Sequence, residues 1–315
     1  MSEKELINKL RYMICKKKTT EEICSKLDVD LKRLHDLVIK LRETNDDCDL
    51  VNGVLTKDPI LRKSDLFSIK PHNRELVCFI SDIHYGSVFD RPDLIRKIYK
   101  TCEYLQIDTI FCCGDLTDGY YPRRSSYGKY QKVSRARDVI EYVVNEHPFS
   151  RNITFYSIAG NHDRTFVDSD DVEIIKQIAY IRPDIVYLGQ DNADVDFDGV
   201  KIHLYHGYGK VKKNIEARVQ KCYDLFDEDA KPDIIQLGHI HHSFCRKINQ
   251  TTIIQNAALI DQMPLLDERG YSCEKSYWFA TLKYDDDGNL IDVIPSLQEF
   301  NQARNRIRVV SKNSH

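Results

Sequence analysis

Five apolar runs punctuate the middle of the chain: LVCFIS at 76–81, TIFCCG at 109–114, TFYSIAG at 154–160, KIHLY at 201–205 and DIIQL at 233–237. Short, cysteine-, isoleucine- and aromatic-rich runs bounded by Gly or Asp predict buried strands. Between them the period lengthens. RPDLIRKIYKTCEYLQ places Leu94, Ile98, Cys102 and Leu105 on one helical face. SRARDVIEYVVNEH, DVEIIKQIAY and NIEARVQKCYDLF read as further helices. WFATLKYDDDGNLIDVI reads as two strands around an Asp287-Gly288 turn. Strands alternating with helices predict a layered α/β fold.

The first 58 residues follow another pattern. Thr19-Thr20-Glu21-Glu22 is a capped helix start, with Ile23 and Leu27 as its apolar face. Asp28-Val29-Asp30 breaks it, and Leu31, Leu34, Val38 and Leu41 then recur at helical spacing. Helix, tight turn and helix is the outline of a helix-turn-helix, and Asn52-Gly53 predicts a hairpin that would form a wing. Residues 1–45 hold eleven Lys/Arg against eight Asp/Glu, a mildly basic balance. Such a unit docks either DNA or a protein partner, a second copy of the chain included; Lys32 and Arg33, opening the second helix, are the expected DNA contacts.

Residues 59–74, polar with two prolines, read as a linker whose Ile60, Leu61, Leu66 and Phe67 pack on the domain that follows. That domain is expected over 75–300, ahead of a basic tail at 301–315. Net charge is −3, and no apolar run approaches the ~20 residues of a membrane span. No signal peptide is expected, because the N-terminus lacks a continuous apolar core, and ten cysteines without a C-x-x-C pair suit a reduced, cytoplasmic protein.

The chemistry sits just after the five runs, as Asp82-Ile83-His84, Gly114-Asp115-Leu116-Thr117-Asp118, Gly160-Asn161-His162-Asp163, His206-Gly207 and Gly238-His239-Ile240-His241. In an α/β sheet the ligand crevice lies off the carboxyl ends of the strands, so five loops would deliver oxygen and imidazole donors to one edge of one sheet. Two cations about 4 Å apart need roughly eight donors and a bridging carboxylate. Asp82, His84, Asp115, Asn161, His206, His239 and His241 supply that set when Asp115 counts twice. Carboxylate, amide oxygen and imidazole without thiolate favour manganese or iron over a closed tetrahedral zinc site; manganese is the expected ion, with iron, zinc, nickel and magnesium as alternatives.

At these residues the chain resembles the calcineurin-like metallophosphoesterase superfamily, whose pattern is D-x-H, G-D-x-x-D, G-N-H-D/E, a histidine before glycine, and G-H-x-H. The resemblance runs from about Glu75 to Leu282. It implies a four-layer αββα sandwich. It also implies one cation held by Asp82, His84, Asp115 and His241, and a second held by Asp115, Asn161, His206 and His239. A water between the cations would attack phosphorus, His162 would give a proton to the leaving oxygen, and Asp118 would orient His162.

Asp118-Gly119-Tyr120 departs from the Asp-Arg-Gly of protein serine/threonine phosphatases, and ISDIHYGSVF looks more like the branch of repair exonucleases and phage metallophosphoesterases. From Gly119 to Arg137 there are six Lys/Arg, four Tyr and no acid. Cations for phosphates beside rings for bases suit a single nucleic-acid strand, which makes Tyr120, Tyr121, Arg123 and Arg124 expected substrate contacts. Lys210, after His206, is another. A DNA nuclease is therefore expected. The alternatives are an esterase of small phosphoesters such as cyclic nucleotides, and a DNA-binding regulator with a scaffold phosphoesterase domain.

Overall fold

The computed structural model describes residues 3–14, 20–30, 33–34, 37, 49–51, 54–56, 66–121, 128–207, 215–264, 272–300 and 307–310. The chain divides into two compact units at Lys63/Ser64.

The N-terminal unit contains α1 (Glu3–Ile14) and α2 (Thr20–Leu27), and a hairpin of β1 (Asp49–Val51) and β2 (Val54–Thr56) in which Val51 pairs with Val54. Leu6, Leu10, Ile23, Leu27, Leu34 and Leu37 form one small core. After α2 the chain turns at Asp28 with φ 54°, and the Asp30 carboxylate accepts from the Arg33 amide at 2.7 Å, capping the next helical stretch. Lys32, His35 and the Asn52-Gly53 turn lie outside the described residues.

In the larger unit β4 (Leu76–Ile80), β5 (Thr109–Cys112), β6 (Thr154–Ala159) and β7 (Ile185–Gln190) run parallel. The hairpin of β13 (Ser276–Tyr284) and β14 (Leu290–Phe300) joins β4 antiparallel. Edge strand β15 (Ile307–Val310) pairs with β14, so a seven-stranded sheet extends into the stretch that sequence sets apart as a basic tail.

A second sheet of six strands has the order β11 (Phe244–Ile248), β12 (Thr251–Gln255), β10 (Ile234–Leu237), β9 (Val200–Tyr205), β8 (Asn192–Phe197) and β3 (Leu66–Ile69). Strand β3 corrects the linker reading: Leu66–Ile69 is part of this sheet, with Phe67 against the core and Leu66 exposed. Ile60 and Leu61 lie outside the described residues.

Alternation along the central strands explains the layers. Val77, Phe79, Phe111 and Cys113 face the second sheet and pack with Ile202, Leu204, Ile234 and Ile254. Cys78, Ile80, Ile110 and Cys112 face the other way, against helices. The covering helices are α3 (Pro92–Tyr104), α4 (Ala136–Glu146), α5 (Arg164–Asp170) and α6 (Ile174–Ile181). Pro92 opens α3 and Asp93 suits its first turn, while Leu94, Ile95, Ile98, Tyr99 and Cys102 are buried. Each fully buried aliphatic side chain contributes roughly 1.5–3 kcal/mol. On the far side α7 (Ile215–Tyr223) buries Val219, Cys222 and Tyr223. Helices, sheet, sheet and helix make the αββα sandwich. Every described cysteine is a free thiol, and among the described residues no helix is long and apolar enough to cross a membrane.

A buried amide crosses the inter-sheet core. Gln236 of β10 donates through Nε2 to the Ile80 carbonyl of β4 at 2.8 Å and to Asn256 Oδ1 at 2.9 Å. Asn256 Nδ2 in turn donates to the Phe79 carbonyl at 2.9 Å. Both amides are inaccessible to solvent.

Candidate metal centre

Each of β4, β5, β6, β9 and β10 ends immediately before one acid/histidine motif, so the five loops meet at one edge of the sandwich. Their backbone is unusual. Asp82, His84, Asp115, His239 and His241 all adopt positive φ, between 52° and 77°. Non-glycine residues pay conformational energy there, and such conformations concentrate where the surroundings fix a functional side chain.

The side chains gather in three neighbouring groups, Asp82/His84/His241, Asp115/His206/His239 and His84/Asp118/His162. In the first, Asp82 Oδ1 lies 3.2 Å from His241 Nε2 and 3.8 Å from His84 Nε2, and the two imidazole nitrogens are 3.3 Å apart. In the second, Asn161 Oδ1 lies 3.0 Å from His206 Nε2 and 2.8 Å from His239 Nδ1. Asp115 Oδ2 stands between them, 3.0 Å from His206 Nε2 and 3.9 Å from His84 Nε2. Backbone approach at this point is close: a Cβ on Gly160 would overlap Asp115 Oδ1, and one on Gly114 would come within 2.7 Å of His206 Nδ1.

Burial alone would raise the Asp82 carboxyl, yet His241 and His84 hold it well below the usual carboxylate range. Asp115 is lowered in the same way, against burial, by His206 and His162. Burial likewise opposes charge on the rings, but Asp115 lifts His206 and Asp82 lifts His241, each to about 9. Two buried carboxylates, an amide oxygen and four converging imidazoles are a donor set that fits a pair of divalent cations.

A partner behind His206 fixes its tautomer, and groups stand behind two other rings. His206 Nδ1 donates to the Cys113 carbonyl at 2.6 Å, which turns Nε2 towards Asp115. His84 Nδ1 lies 3.4 Å from Asp118 Oδ1, and His241 Nδ1 lies 3.8 Å from Cys273 Sγ. Asp163, fourth residue of G-N-H-D, is buried and accepts from the amides of Gly160, Leu116 and Thr117 and from the Thr117 hydroxyl. It ties the second and third motif loops together, a role the sequence reading missed although the motif contains it.

His162 stands beside the first group, its ring edge-on to His84 at 4.5 Å. Its Nδ1 donates to the Asp118 carbonyl at 2.8 Å, whereas the Asp118 carboxylate is 4.0 Å away and nearer His84. The backbone of Asp118, rather than its carboxylate, therefore orients His162. Burial lowers the His162 pKa, with Asp115 opposing the shift.

The expected substrate contacts separate. Tyr121 reaches His162 through its hydroxyl. Tyr120 instead stacks on Phe166 with ring centres 6.0 Å apart and packs on the core, which makes it a structural residue. Farther along, Lys132 pairs with buried Asp90, and Tyr130 packs on Phe89. Arg123, Arg124 and Lys210 lie outside the described residues. His147, buried between the hydroxyls of Tyr85 and Tyr99, and His203, bonded to Asp194, are structural.

A family model described as the calcineurin-like phosphoesterase superfamily domain matches residues 76–258. No curated protein matches the chain. Solved structures match at low identity. A novel archaeal phosphodiesterase is 15% identical over 70% of this chain and 99% of its own, with a TM-score of 0.39. Vacuolar protein sorting 29 of Entamoeba histolytica, complexed with zinc, is 13% identical over 76% of this chain and 99% of its own, with a TM-score of 0.41. The Cryptosporidium parvum counterpart is 17% identical over 75% and 95%, with a TM-score of 0.42. With the family model spanning more than half of the chain and the motif loops forming one centre, the protein belongs to the calcineurin-like phosphoesterase superfamily as a metal-dependent phosphoesterase.

Proposed function

We propose that the protein is a dinuclear phosphodiesterase that acts on nucleic acid, DNA foremost, with manganese as its working ion. The observation that carries the two-cation reading is the position of Asp115 Oδ2 between the His206 and His84 rings. Asp82, His84, Asp115 and His241 would hold one cation, and Asp115, Asn161, His206 and His239 the other. When bound, such a pair supplies Lewis acidity towards phosphoryl oxygen and a nucleophile at neutral pH.

The chain's own residues do the rest. With its Nδ1–H hydrogen-bonded to the Asp118 carbonyl, His162 exchanges the catalytic proton at Nε2 and passes it to the leaving oxygen. Asp163 keeps the Asp115 and Asn161 loops in register by bonding both backbones. Asp82, besides its ligand role, accepts from the His239 amide at 3.0 Å and so connects the first loop to the fifth.

Support for a nucleic-acid substrate comes from the acid-free insertion after Asp118 and from the mildly basic N-terminal unit, which would bring Lys32 and Arg33 to a duplex. One observation favours a small diester instead: Lys132 and Tyr130 of that insertion are already occupied by Asp90 and Phe89. Incubating the pure protein and Mn²⁺ with labelled single-stranded, duplex and end-containing DNA tests the proposal. Cleavage that EDTA stops is expected. Rapid hydrolysis of bis-p-nitrophenyl phosphate with no cut in any DNA or RNA would remove the nucleic-acid part.

A further inference from the structure

We infer that Arg218, on α7, is a positioning residue that sets the second cation's site. One guanidinium nitrogen, Nη2, donates to the His206 carbonyl at 2.9 Å and to the Gly238 carbonyl at 3.1 Å. Those carbonyls lie at the ends of β9 and β10, on the loops that carry His206 and His239. Arg218 thus clasps the two strand ends whose imidazoles converge on Asn161 Oδ1. The inference rests on the ligand assignment proposed above.

Three further features fit a clasp. Gly207 has φ +86°, and a Cβ there would run into the guanidinium. Only glycine lets the chain leave His206 and still pass under the arginine. A Cβ on Gly238 would meet Ser81 Oγ and would stand 2.9 Å from His206 Nδ1, so both carbonyl-bearing loops are packed without slack. Arg218 Nε is buried without a hydrogen-bond partner, so the side chain accepts a desolvation cost to keep Nη2 on the two carbonyls. Among the described residues Arg218 makes no hydrogen bond or ion pair with Asp82, His84 or His241, and Asp82 takes its amide bond from His239 directly. Loss of the clasp should therefore loosen the His206/His239 pair more than the Asp82/His84/His241 group.

Arginine is suited to this work because its planar fork donates two hydrogens from one nitrogen in fixed directions; a lysine ammonium in the same place would keep the charge with less geometric control. Partners behind metal ligands typically change metal affinity by about 10–100-fold when removed.

The test is a titration of metal-free protein with Mn²⁺, read by calorimetry and by bound metal after equilibrium dialysis. Wild type should take two cations per chain. Arg218→Ala should keep one tight cation and bind the other about 10–100-fold more weakly. Arg218→Lys should fall between, and non-denaturing guanidinium added to Arg218→Ala should restore part of the loss, which a misfolded variant cannot show. The doubly substituted Arg218→Ala/His241→Ala chain should bind no cation tightly. Two tight cations in Arg218→Ala or in Arg218→Lys, with wild type also binding two, overturn the clasp and leave the proposed ligand set standing. The same holds if both cations weaken equally. Wild type that fails to bind two cations overturns the ligand set and the clasp together.

Discussion

The hydroxyl of Tyr121 lies 3.0 Å from Nδ1 of His162, the nitrogen that also meets the Asp118 carbonyl. The His162 ring is therefore met at this one nitrogen by backbone and by a residue of the acid-free insertion. His162→Ala should keep both cations yet lose about 10²–10⁴-fold in rate with an alkoxide leaving group. The deficit should shrink for a p-nitrophenolate ester, which hardly needs a proton. Tyr121→Phe keeps the Asp118 contact and should lose only about fivefold, the worth of one hydrogen bond. Metal analysis showing His162→Ala emptied of metal would end the proton-donor assignment.

Chelation should cost stability as well as activity. Ligands that bind only the folded state stabilise it by mass action, about 2.7 kcal/mol at a hundred times Kd. Thermal melts should rise with added Mn²⁺ and fall in EDTA, and His239→Ala should lose most of the rise. An unchanged melt across the titration would mean that the folded chain binds no cation.

The metal-free protein should respond to alkali in a defined direction. His206 and His241 stand at about 9 when folded, above the ordinary 6.5. Their raised values contribute stability that is fully present below pH 6.5 and lost as pH climbs through about 9. Cation binding runs the other way, because a ring must shed its proton to ligate, so affinity should rise over the same interval with protons released. Melts in chelator across this range, beside calorimetry in buffers of different ionisation heat, check both. A metal-free melting temperature that climbs from neutral pH to pH 9 contradicts the assignment.

Asp163→Ala should be costly although Asp163 belongs to neither ligand group. It strands the amides of Gly160, Leu116 and Thr117 and the Thr117 hydroxyl in a buried place. Each unsatisfied buried donor costs ~1–3 kcal/mol, so a loss of at least ~3 kcal/mol is expected in denaturant unfolding of the metal-free chain. A loss under ~1 kcal/mol would show that water replaces the carboxylate easily.

What the sequence disclosed was whatever local order carries. A strand and the loop after it are adjacent in the chain, so Asp82, Asp115, Asn161, His206 and His239 are legible as strand-end residues; that they leave two sheets rather than the single sheet expected is not. Packing hid the rest. Arg218 reaches His206 and Gly238 only because α7 folds back over the second sheet, and no spacing signals that. Tyr120 and Tyr121 look alike in sequence, and only the position of Phe166 decides that one is core and the other meets His162. Leu66–Ile69 reads as linker because its short apolar run sits among polar, proline-containing flanks, and its partner, Asp194–Phe197, lies far along the chain.

The donors come from both sheets: Asp82, His84, Asp115 and Asn161 follow strands of the seven-stranded sheet, His206, His239 and His241 follow strands of the other. Gln236 and Asn256 bolt those sheets together one turn of chain behind the donors, through the carbonyls of Ile80 and Phe79. The gap between the donor groups is thus a gauge cut into the backbone frame, independent of the rim. Beyond Tyr121, which meets His162, the insertion after Asp118 can lengthen or change composition without recalibrating the spacing of the donors.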